Sequence, residues 1–185
     1  MPRAGLTPQR VTDTAAQLVD REGLQALALA RLAGEMGVAP PSLYKHVGGL
    51  EDLVGRVASL AVDMLAQALA ASVMGKSEAS ALRALGEAYR RFAHDHPGLY
   101  PLTQHHAGAL AASAQRTVEI VIAALEGYQI PSERLIDAVR MTRAALHGFV
   151  DIEIAGGFAR PEPVEESFTA LLEMLDAGLR RLGRE

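Results

Sequence analysis

Apolar residues recur along the chain three and four positions apart, with polar residues between them, and no stretch sustains an alternation of two. That spacing marks helices that bury one face. The fold read from it is all-α, with about nine helices. Val11, Ala15, Leu18 and Val19 form the first stripe; Thr7 is placed to cap it, Pro8 opens it and Gly23 ends it near residue 22. The longest stripe is Leu53, Val54, Val57, Leu60, Ala61, Met64, Leu65 and Ala68, and it predicts a helix over 50–73 after the break at Gly48-Gly49. Leu82, Leu85, Tyr89 and Phe92 predict a helix over 77–95, bounded by His96-Pro97 and followed by a short helix or turn over 97–102. Val118, Val121, Ile122 and Leu125 mark a helix over 109–126. Two more are expected at 132–155 and 162–182, joined through Gly156-Gly157 and Pro161.

Between the first stripe and the longest, the pattern tightens. Leu32, Ala33 and Met36 predict a short helix that starts near 28–30, and Gly37 follows where a left-handed residue stops it. Val38 points into a small core. Pro40 and Pro41 open a second short helix, where a missing N–H costs nothing. Leu43 and Val47 then face Ala33 and Leu32, which leaves Ser42, Tyr44, Lys45 and His46 on other faces. Two short helices joined by a glycine-containing turn form a helix-turn-helix, a motif whose second helix enters the major groove of DNA.

Composition agrees with helices: 49% of residues are hydrophobic, Ala and Leu dominate, and only 4% are aromatic. No run approaches eighteen uninterrupted apolar residues, the start lacks a signal-peptide core, and cysteine is absent. A cytoplasmic protein without disulfides or thiolate metal sites is expected. The net charge of −4 is unusual for a nucleic-acid binder. Residues 1–47 carry Arg3, Arg10, Arg21, Arg31 and Lys45 against Asp13, Asp20, Glu22 and Glu35, a balance of +1. So weak a field binds phosphates poorly, and two copies on adjacent half-sites are needed.

Leu32-Ala33, Gly37-Val38 and Leu43-Tyr44-Lys45-His46-Val47, preceded by the run from Ala15 to Leu24, resemble the DNA-binding domain of TetR-family transcriptional regulators in order and spacing. Leu146-His147-Gly148-Phe149 and Gly156-Gly157-Phe158 resemble the C-terminal domain of one TetR subgroup, although the Trp typical of that subgroup is missing. The resemblance implies a helix-turn-helix domain over 1–48 and a ligand-binding and dimerisation domain over 49–185. It implies double-stranded DNA and a small-molecule effector as partners, repression released by that effector, and no cofactor. Ser42, Tyr44 and His46 would meet phosphates, and Pro40, Pro41 and Lys45 would approach base edges. Thr7 and Arg10 join this set, since a phosphate would explain a cation in a first helical turn. Three positions depart from the family: Ala28 and Ala39 replace hydroxyl caps, and Leu50 replaces a lysine that meets a phosphate.

Among the helices from 50 to 155, Tyr89, Tyr100, His105, Tyr128, Arg143 and His147 are the polar or aromatic candidates for an effector site. Phe168, Leu171, Leu172, Leu175 and Leu179 form a near-heptad stripe, read as a homodimer interface of four helices. His94, Asp95, His96 and the His105-His106 pair have no metal-binding spacing, and no nucleophile elbow, phosphate loop or carboxylate pair is present. Two other classes stay open: a helical ligand-binding protein whose helix-turn-helix no longer binds DNA, and an enzyme.

Overall fold

The structure is a computed structural model and describes residues 5–104 and 111–184. Seven α-helices run through it: α1 (Pro8–Glu22), α2 (Leu29–Met36), α3 (Leu50–Val73), α4 (Glu78–Asp95), α5 (Ala111–Leu125), α6 (Ser132–Ile154) and α7 (Val164–Leu182). Short 3₁₀ segments lie at Leu24–Ala26, Pro40–Lys45, Tyr100–Gln104 and Glu126–Tyr128. There is no strand among the described residues, so the chain is all-α as its period requires. The main departure is local. Pro40–Lys45, read as a second short α-helix, is a six-residue 3₁₀ turn. So short a segment cannot complete an α-helical ladder, and its bonds close three residues apart, from Ser42 N–H to the Ala39 carbonyl at 2.9 Å and from His46 N–H to that of Leu43 at 2.8 Å.

The chain divides into two compact units, Met1–Met64 with His96–Ala114, and Leu65–Asp95 with Gln115–Glu185. The first unit therefore reaches past residue 48. Its core joins Val11, Leu18 and Val19 of α1, Leu32 and Ala33 of α2, Leu43, Val47, and Leu53, Val57 and Ala61 of α3, with Leu99 and Leu102 from much further along the chain. The turn that brings in Leu99 lies directly on α1: a Cβ on Gly98 would stand 2.0 Å from the Val19 carbonyl oxygen, so no larger residue fits. His96 Nδ1 and Asp20 Oδ2, 2.7 Å apart, fasten the same turn. α3 is long and apolar enough to cross a bilayer, with a mean hydropathy of 1.4 over eighteen residues. Its stripe from Leu53 to Val62 is instead spent on this core.

In the second unit α4, α6 and α7 pack together. Gly86 of α4 is the close point: a Cβ there would stand 2.7 Å from Leu172 of α7 and 3.3 Å from Leu146 of α6, with the Phe168 ring at 3.5 Å. One end of this bundle is clamped by Arg90, whose guanidinium donates to both Glu153 oxygens (2.6 and 2.8 Å) and to Glu165 (2.5 Å) while lying over the Phe168 ring. His94 Nε2 is 3.2 Å from Glu153. The Arg90 bonds, aided by His94, hold the Glu153 carboxyl below the usual range, and the Glu153 bonds raise the Arg90 guanidinium. A second clamp sets the Tyr128 hydroxyl 2.6 Å from Asp176, with Arg180 bonded to both Asp176 and Glu78. Burial, then the Asp176 carboxylate, pushes the Tyr128 phenol up.

Candidate nucleic-acid interface

The helix-turn-helix is built outward from buried residues. α1 begins with Thr7, whose hydroxyl accepts the Arg10 N–H at 3.2 Å, so this side chain is engaged as a cap. α2 starts after Ala28 with no side-chain cap. It ends at Gly37, left-handed at φ +65°, where the N–H groups of Gly37 and Val38 return to the Gly34 and Ala33 carbonyls. Those two bonds close the helix end and fix the direction of the next segment. Leu43 then anchors the Pro40–Lys45 turn with no surface exposed.

With Leu43 inward, the rest of the turn is sorted. Pro40, Pro41 and Lys45 are exposed, Tyr44 is 61% exposed, and Ser42 and His46 are half-buried. Side chains three apart align in a 3₁₀ turn, so Pro41 shares an edge with Tyr44, and Ser42 with Lys45. Arg10 is exposed in the first turn of α1. Several cations nearby are already matched within the unit: Arg21 with Glu35 at 3.1 Å, Arg31 with Glu22 at 2.5 Å, and Arg56 with Asp52 at 3.0 Å. Asp52 also accepts the Gly48 N–H at 2.8 Å. That bond first, and Arg56 second, hold its carboxyl below the ordinary range. The start of α3 is thus closed by its own acid, and Leu50 beside it is 43% exposed.

The same architecture occurs in known proteins. Residues 82–175 match the family described as Tetracyclin repressor-like, C-terminal domain. The chain is also 33% identical over 181 residues to the uncharacterised HTH-type transcriptional regulator YobS of Bacillus subtilis strain 168, a match covering 96% of this chain and 95% of that one. The chain belongs to the TetR family. Its fold is similar to that of a TetR regulator from Streptomyces coelicolor, at a TM-score of 0.77 and 19% identity over 97% of this chain and all of that one. It is also similar to a TetR variant from Acinetobacter baumannii AYE solved in complex with minocycline, at a TM-score of 0.70 and 20% identity over 96% and 98% of the two chains.

The effector candidates of this TetR-family chain are divided between the two units. Tyr100 belongs to the first unit, Tyr89, Tyr128, Arg143 and His147 to the second, and His105 lies outside the described residues. Tyr89, Tyr100 and Tyr128 are buried, His147 is half-buried and Arg143 is exposed. The Tyr128 hydroxyl is occupied by Asp176, which makes it a structural clamp. Thr142, one helical turn before Leu146, is 1% exposed and its hydroxyl has no hydrogen-bond partner. No group of three or more potential metal ligands gathers among the described residues.

The stripe assigned to a second copy is largely used within the chain. Phe168, Leu172 and Leu179 are buried at 1–3% exposure, with Phe168 and Leu172 against Gly86; Leu171 and Leu175 are half-buried. The heptad marks the face that α7 turns to its own bundle. The outward face carries Ala170, Met174, Ala177 and Gly178, and α6 exposes Met141, Ala144 and Ile152. Sequence reasoning also missed both clamps, because Arg90 lies 63 and 75 residues from Glu153 and Glu165, Tyr128 lies 48 from Asp176, and no local pattern joins them.

Proposed function

We propose that the chain is a DNA-binding transcriptional repressor released by a small molecule, with residues 1–48 reading DNA and residues 49–185 serving ligand binding and dimerisation. The observation that carries this is the Pro40–Lys45 turn, pinned by buried Leu43 and exposing Pro40, Pro41, Tyr44 and Lys45 together. Tyr44, with Ser42 and His46, suits phosphate contact, and Lys45 suits a base edge or a phosphate. The minocycline complex of a protein with a similar fold supports a small-molecule effector. The working form is a cytoplasmic homodimer on a near-palindromic operator, with half-site centres about one helical turn apart. It is a binding protein, not an enzyme.

The outward stripes of α6 and α7, small residues punctuated by Met141, Ile152 and Met174, suit a four-helix interface between copies. Met174→Arg changes a side chain that is 65% exposed in the single chain, so it spares the protomer while placing a charge in the dimer contact. Sedimentation is expected to shift from dimer to monomer, and a wild type that is itself monomeric at micromolar concentration removes the dimer.

The decisive experiment is selection of bound duplexes from a random pool, followed by gel shift. An enriched near-palindrome is expected, and Tyr44→Ala should weaken binding similarly on every sequence, because phosphate contacts carry little sequence information. Lack of enrichment favours the second reading, a helical ligand-binding protein whose helix-turn-helix no longer binds DNA. The uncapped starts at Ala28 and Ala39, exposed Leu50 and the internally paired arginines speak for that reading.

A further inference from the structure

We infer that Pro40 and Pro41 are specificity-determining residues, and that they read the methyl groups of thymine in the major groove. The inference rests on the DNA-binding reading above and adds the class of base that the head selects. In a helix-turn-helix, residues at the N-terminal end of the second element approach base edges. Here that end is Pro40-Pro41, both exposed, preceded by exposed Ala39. A proline has no backbone N–H and no polar side-chain atom. Neither side chain can donate to guanine O6 or N7, accept from a cytosine amino group, or bond adenine as an amide side chain does.

What a proline ring offers is apolar surface, and the C5-methyl of thymine is the apolar group on a major-groove base edge. The geometry of the turn makes that surface available. Leu43 is the inward anchor, so the Pro41–Tyr44 edge faces away from the core, while Pro40, on the Leu43 edge, is itself exposed where the turn begins. Charge does not replace this readout. Arg21 and Arg31 are held by Glu35 and Glu22, and the start of α3 carries Leu50 followed by the acids Glu51 and Asp52. A head with so little net positive charge gains little from sequence-independent attraction, and discrimination falls on contacts of shape.

The test starts from the duplex that the full-length chain enriches from a random pool. Each thymine of the half-site is replaced in turn by deoxyuridine, which removes only the C5-methyl. One or two adjacent positions should each lose about fourfold in affinity, the effect of uncovering one methyl-sized apolar group, and the other thymines should be indifferent. In Pro41→Ser, whose change lies on the surface, discrimination between thymine and uracil at one of those positions should vanish. An enriched site that tolerates uracil throughout, or a Pro41→Ser variant that still discriminates as the wild type does, overturns the inference and leaves DNA binding intact. If no duplex is enriched, the DNA-binding reading falls, and the inference with it.

Discussion

The two compact units hold themselves together differently. In the first, the ion pairs Arg21–Glu35, Arg31–Glu22 and Arg56–Asp52 join residues 4 to 14 apart, on side chains largely open to water. Cohesion there comes from the apolar core and from backbone devices such as the Gly37 helix stop, with His96–Asp20 as the long-range exception. In the second, Arg90 spans 63 and 75 residues to reach Glu153 and Glu165, and Tyr128 spans 48 to reach Asp176. There the side chains of Arg90 and Glu153 are only 18% and 12% exposed. A reading head needs a fixed shape and can leave its charges in water. A helical bundle without a short-range motif of that kind is fixed in register by partly buried polar clamps.

The largest effect is expected where a backbone crossing fixes the first unit. Gly98→Ala would drive a Cβ into the Val19 carbonyl, and Leu99 and Leu102, both buried, prevent the turn from retreating. A loss of about 3 kcal/mol is expected in denaturant unfolding, the upper range for forced overpacking. Gly183 in the second unit is equally tight, 1.9 Å from the Tyr128 carbonyl oxygen, but it caps the last turn of α7, where a helix end frays. Gly183→Ala should cost less than about 1 kcal/mol by the same measurement. Equal losses would show that the crossing at α1 is not special.

The next effect belongs to the Arg90 clamp. Arg90→Ala leaves Glu153 mostly buried without its main partner, and a loss of about 2–3 kcal/mol is expected, lower than for a fully buried pair because water still reaches the site. Acid should act on the same unit. The folded state lowers the carboxyl of Glu153 through Arg90. In Asp176 burial opposes the lowering, but Tyr128 and Arg180 outweigh it. Both groups therefore add stability above their unfolded values of 4.5 and 3.8, and that stability drains as pH falls below about 4.5. Amide exchange followed from pH 6 to 3 should show α4, α6 and α7 opening before α1 and α2, and Arg90→Ala should flatten the trend.

This contrast also explains what the sequence could show. The helices of both units were readable because each carries a stripe at helical spacing. The short segments around the Gly37 turn were readable, because Gly37, Pro40, Leu43 and Val47 act within eleven positions of one another. The 3₁₀ form of Pro40–Lys45 was not, since its residues suit either helix. The face of α7 was misjudged because Phe168, Leu172 and Leu179 would make the same heptad against a neighbour in the chain or against a second copy, and only the packing at Gly86 separates the two. His94 and His96 carry no metal-binding spacing; His94 closes α4 beside Glu153, and His96 meets Asp20, partners that no spacing rule finds.

A smaller effect, of opposite sign, should come from Thr142. Its hydroxyl is buried in α6 without a partner, while Val139, Leu146 and Val150 beside it on the helix are apolar. Thr142→Val keeps the shape and removes the unmatched polar atom, so the second unit should gain about 1 kcal/mol. A loss in thermal unfolding would mean that the hydroxyl is bonded in solution.

The smallest effect on stability, and the sharpest probe of the comparison, lies in the exposed pairs of the head. Glu35→Gln takes away the nearer of two carboxylates on Arg21, which is 54% exposed and also lies 3.6 Å from Glu22, and should change stability by no more than about 0.5 kcal/mol, as usual for a surface pair. The consequence should appear on DNA instead. A cation left with only the longer Glu22 contact can turn to a phosphate, so binding to random-sequence duplex should strengthen, and the slope of log affinity against log salt should steepen by up to about 0.9 for each arginine that reaches the backbone. The preference for the enriched site over random duplex should shrink accordingly, because the added attraction carries no sequence information. If both slope and preference stay at the wild-type values, Arg21 does not face DNA, and its pairing with Glu35 serves only to join α1 to α2.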